Sequence, residues 1–95
     1  MTVGEFRKVK KLLDNFDFWE ITETNAKLNN TYQVELLDIW QDNGIAGFCD
    51  YGNVIENLDN SIAKGFLLTS AVLILYKDQC NITLRDGTIS IKGIN

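Results

Sequence analysis

Two dipeptides, Asn43-Gly44 and Asp86-Gly87, each stand between stretches rich in β-forming residues, and they constrain the fold more than any other feature. Asn-Gly and Asp-Gly suit the two-residue type I′ turn, because both central residues of that turn need positive φ. Each dipeptide therefore predicts a β-hairpin. The chain contains no proline, so its turns must rest on asparagine, aspartate and glycine, and ten asparagines are available for them.

The segments around these turns can be read in order. Thr2-Val3-Gly4-Glu5 has the spacing of a capping box, and Phe6, Val9, Leu13 and Phe16, with Leu12 beside them, form one apolar stripe. A helix over 3–15 follows, with Arg7, Lys8, Lys10 and Lys11 on its flanks and outer face. Phe18 to Thr24 alternates as a strand, and residues 25–30 turn the chain. From Thr31 to Gln41 the alternation of Tyr32, Val34 and Leu36 slips phase at Leu37, which predicts one strand carrying a β-bulge. A short helix through 34–41 also satisfies the apolar spacing. Ile45 to Tyr51 is the expected return strand, with Gly47 leaving room for a bulky neighbour.

Asn53 and Glu56 repeat the capping-box spacing, and Ile55, Leu58, Ile62 and Phe66 outline a second helix with Gly65 at its C-terminal end. Ala71 to Tyr76 is continuously apolar, the mark of a strand covered on both faces. Lys77 to Gln79 turns it. Cys80 to Arg85 and Thr88 to Ile94 flank Asp86-Gly87, so that Ile82 and Leu84 would face Ile91 and Ile89. The expected fold is α+β: one small domain over 1–95, two helices packed on a mainly antiparallel sheet, in the order α-β-β-β-α-β-β-β.

The first thirteen residues are charged and amphipathic rather than signal-like. The longest apolar run, 66–76, is interrupted by Thr69 and Ser70 and falls short of the ~20 residues that span a bilayer as a helix. A cytoplasmic protein without membrane contact is expected, with Cys49 and Cys80 reduced. There is no histidine, the commonest general base and a common metal ligand. Neither cysteine belongs to a CxxC pair, and Trp40 occupies a position where a calcium loop starting at Asp38 would need an oxygen ligand. Neither cysteine has a neighbouring base to generate thiolate. A chain this short also offers little room for a cleft between paired carboxylates. These features predict a non-catalytic protein without metal or cofactor.

Charge is unevenly spread along the chain. Residues 1–11 set Glu5 against Arg7, Lys8, Lys10 and Lys11, whereas residues 12–64 carry ten acids against Lys27 and Lys64. Asp38, Trp40, Asp42, Asp50, Tyr51, Glu56 and Asp59 interleave carboxylates with aromatic rings. That combination suits a surface for a basic protein partner, since charge steers the encounter and aromatic anchors hold it. Immunity proteins and phage-encoded inhibitors that block nucleic-acid-handling enzymes work in this way, and the analogy is one of size and charge. The proline-free, asparagine-rich composition is of a kind associated with AT-rich bacterial and phage genomes. A second expectation is nucleic-acid association through Arg7, Lys8, Lys10 and Lys11, against which the overall charge of −4 weighs. A third is a homo-oligomer assembled through apolar surface left over from residues 66–76.

Overall fold

The computed structural model describes residues 1–27, 29–35, 37–50 and 63–95. Helix α1 spans Val3–Leu13, and its capping box forms as the sequence predicts. Glu5 N–H donates to the Thr2 hydroxyl at 3.1 Å, and Thr2 N–H donates to Glu5 Oε1 at 2.9 Å. The Thr2 backbone bond draws the Glu5 carboxyl below its ordinary pKa. Phe6, Val9 and Leu13 are buried, each stabilising the fold by about 1.5–3 kcal/mol relative to exposure. The Met1 amino group donates to the carbonyls of Leu68 and Ala71, tying the start of α1 to a segment almost seventy residues further along the chain.

Among the described residues eight strands follow: β1 (Phe18–Asn25), β2 (Asn29–Val34), β3 (Leu37–Asp42), β4 (Ile45–Asp50), β5 (Ala63–Leu67), β6 (Val72–Leu75), β7 (Gln79–Thr83) and β8 (Gly87–Ile94). A single 3₁₀ turn, Leu68–Ser70, separates β5 from β6. All pairings are antiparallel. The strands form a five-stranded sheet, β2-β1-β8-β7-β6, and a three-stranded sheet, β3-β4-β5. Ile21, Ile82, Ile89 and Ile91 from the larger sheet share one core with Ile39, Phe48 and Phe66 from the smaller, and α1 contributes to both sides of it. Phe6 meets Phe48 and Phe66 with ring centroids 6.2 and 6.5 Å apart.

The α+β class holds, while several details change. The phase slip at Leu37 is not a bulge within one strand. The chain leaves the larger sheet after Val34, bends at Glu35 and enters the smaller sheet at Leu37. Val34 and Ile39 both face the core, each in its own sheet, so the shifted phase marks a change of sheet. The body of the second expected helix lies outside the described residues. Its expected end does not: Gly65 and Phe66 lie in β5, where Gly65 pairs with Gly47 and Phe66 with Ala46. Among the described residues there is one α-helix.

The Asn43-Gly44 turn is borne out, with φ of 50° and 80° joining Asp42 to Ile45. The second hairpin turns one residue earlier than predicted. Leu84 N–H donates to Gly87 O at 2.7 Å, so Arg85 and Asp86 occupy the turn, and neither has positive φ. Ile82 therefore faces Ile89, and Cys80 faces Ile91. This slip of two residues leaves every side chain on its expected face. Gly87 serves a different purpose: a Cβ there would fall 2.2 Å from the Thr24 carbonyl oxygen on β1.

The largest departure is β6. It was expected to be covered on both faces, yet among the described residues it is an edge strand. Val72, Ile74 and Tyr76 are more than half exposed, at 62%, 51% and 53%.

Candidate protein-binding surface

Alternation along β3 sends Ile39 into the core and turns Asp38, Trp40 and Asp42 to the opposite face, where all three are exposed. The ladder then decides their neighbours. Asp42 stands opposite Ile45, which stands opposite Leu67, and both of these apolar side chains are exposed. Trp40 stands opposite Gly47, with Gly65 beyond it on β5, so a row of Trp-Gly-Gly crosses the sheet. Gly47 is thus placed beside a bulky neighbour, as the sequence suggested. Trp40, Ile45 and Leu67 together make an apolar surface, and Asp38 and Asp42 flank the tryptophan along its strand.

The sequence-predicted site is brought together only in part. Asp38, Trp40 and Asp42 share one face. Asp50 occupies the far end of β4, opposite Leu37 in the ladder. Tyr51, Glu56 and Asp59 lie outside the described residues. Ile45 and Leu67 were missed. Ile45 was legible as the first residue after the turn, on the parity of Gly47. Leu67 was hidden because the apolar run beginning at Phe66 carries no alternation to show which side chain faces out.

On the other side of Trp40 lies α1. Arg7, Lys8, Lys10 and Lys11 are all exposed on the helix. Arg7 and Lys10 line a groove of about 340 Å³ between α1 and β3, together with Phe6, Ile39, Trp40 and Gln41. The groove therefore brings Arg7 and Lys10, distant in sequence, to the strand that carries Asp38, Trp40 and Asp42. The second tryptophan is placed differently: Trp19 is half-buried, and its indole N–H donates to the Leu13 carbonyl at 2.9 Å, closing the C-terminal end of α1. Cys80 is free and buried under the larger sheet, and burial pushes its thiol up to about 12, which leaves it protonated at neutral pH.

The fold and this surface define a small α+β domain with two antiparallel sheets and an exposed tryptophan on a strand that carries two exposed aspartates. No family model, curated protein or solved structure matches the chain. Among the described residues, no helix is long and apolar enough to cross a membrane.

Proposed function

We propose that this chain is a small non-catalytic module that binds another protein, with Trp40 as the anchor and Asp38 and Asp42 selecting a basic partner. The observation that supports it is the exposure of all three on one strand face, beside exposed Ile45 and Leu67. Binding hot spots are enriched in tryptophan set among apolar contacts, and flanking charges steer association and set specificity. An inhibitor- or immunity-type protein acting in the cytoplasm on a nucleic-acid-handling enzyme fits this chemistry, since such enzymes present basic surfaces. The test is capture of partners on tagged protein from nuclease-treated bacterial lysate, washed at rising salt. A basic protein released by salt, and lost from Asp38→Lys/Asp42→Lys protein, is the expected result. Capture unchanged by that double substitution would contradict it.

A second reading rests on the groove. Arg7 and Lys10 beside Trp40 are the pairing that single-stranded nucleic acid uses, with cations on phosphate and a ring stacked on a base. Here oligonucleotide affinity should fall steeply with salt and be lost in Arg7→Glu/Lys10→Glu protein, while Asp38→Lys/Asp42→Lys should strengthen it.

A further inference from the structure

The outward face of the five-stranded sheet can be followed row by row through its ladders. One row runs Thr31, Thr22, Ser90, Asn81, Ile74, and another runs Asn29, Thr24, Thr88, Thr83, Val72. Four strands in each row present polar side chains, joined in places by hydrogen bonds such as Ser90 to Asn81 and Thr22 to Thr31. The polarity ends at β6, where Val72 and Ile74 take over and Tyr76 continues the same parity just beyond the strand.

We infer that β6 is a self-association edge, pairing antiparallel with β6 of a second copy about a two-fold axis through Ile74. The backbone of β6 specifies the register. Tyr76 N–H donates to Gln79 O at 2.8 Å, so by alternation Val72, Ile74 and Tyr76 turn their peptide groups towards β7. Leu73 and Leu75 then direct theirs away from β7, to the side where no other described strand lies. A two-fold pairing about Ile74 sets Leu73 of each copy against Leu75 of the other, forming four backbone hydrogen bonds. On the outward face it sets Ile74 against Ile74 and Val72 against Tyr76, pairings of β-branched and aromatic side chains that favour antiparallel ladders.

Three features select a second copy as the occupant. No charged side chain lies between Ala71 and Tyr76, so two copies meet without like charges in contact although each carries −4. The apolar strip is complementary to itself under the two-fold. The opposite edge, β2, offers Asn29, Thr31 and Gln33 on the same face, a poor match for Val72, Ile74 and Tyr76. Head-to-tail addition of β6 to β2 is therefore disfavoured, and the pairing closes as a dimer instead of growing into a filament. Four residues make a short edge beside the ~20–30 residues per side of a standard interface, so the dimer forms over the micromolar-to-millimolar range. This association involves neither Trp40 nor the smaller sheet.

Sedimentation equilibrium of the full chain over that concentration range tests it. The expected mass rises from 10.8 kDa towards twice that value and no further. Ile74→Lys and Ile74→Glu proteins should each remain monomeric with unchanged circular dichroism, because position 74 meets itself. An equimolar mixture of the two should regain the dimer, since the opposed charges then pair. Gln33→Lys, on the far edge, should leave the dimer intact. A wild-type monomer at every concentration, a mass growing beyond the dimer, a mixture that stays monomeric, or loss of the dimer in Gln33→Lys would each overturn the proposal.

Discussion

Trp40 and Cys80 show how much a single residue's surroundings decide. Both tryptophans sit in strand sequences rich in β-formers, but Trp40 is 37% exposed while Trp19 is held by its bond to Leu13. Trp19→Phe protein, which reports Trp40 alone, should emit further to the red and be quenched more strongly by acrylamide than Trp40→Phe protein. Equal quenching in the two would contradict the placement of Trp40. Cys80, by contrast, is completely buried. Its thiol should resist alkylation in the native state at pH about 8, as peptide mapping would record. The folded state keeps this proton up to about 12, against an ordinary value of 9.0. The stabilisation is therefore full below the ordinary value and is lost as pH rises through the interval between them. Urea midpoints at pH about 8 and about 11 should fall less in Cys80→Ala protein than in the wild type. What could not be read at this scale was which of the interleaved acids share a face with Trp40, because that depends on the ladder register and not on spacing.

Local chemistry was enough to read the elements whose ends are set by their own residues. The Thr2/Glu5 capping box starts α1, the Phe6-Val9-Leu13 stripe faces the core, and Asn43-Gly44 closes its hairpin, all within a few residues of chain. The elements that depend on distant partners were misread. The slip at Leu37 looks the same for a bulge as for a strand changing sheets, since both insert one residue into the alternation. The apolar run before Tyr76 looks the same for a central strand as for an edge strand. Phe66, placed on a helix by its spacing, instead joins Phe6 and Phe48 from β5. That aromatic trio holds α1 to the smaller sheet, with the Phe48 and Phe66 centroids 6.0 Å apart. Phe6→Ala should therefore cost about 3–5 kcal/mol, measured as a lower urea midpoint. Val3→Ala, on the exposed side of the same helix, should change stability by less than about 0.5 kcal/mol.

For the molecule as a whole, a loss of about 3–5 kcal/mol is a large share of the ~5–15 kcal/mol that holds a domain together, so the small sheet that carries Trp40 depends directly on α1. The two proposed contacts lie on different sheets and respond to salt in opposite ways. Added salt weakens attraction between Asp38, Asp42 and a basic partner, and it screens repulsion between two acidic copies meeting at β6. Raising salt should thus release the partner while favouring the dimer. The most direct measurement sets two charge reversals side by side in the capture experiment, Asp38→Lys/Asp42→Lys against Arg7→Glu/Lys10→Glu, with wild-type protein and nuclease-treated lysate. Salt-sensitive retention of a basic protein, abolished by the first pair and kept by the second, is the predicted result. Retention that survives reversal of both aspartates, or that is lost only when Arg7 and Lys10 are reversed, would contradict an acidic binding face around Trp40.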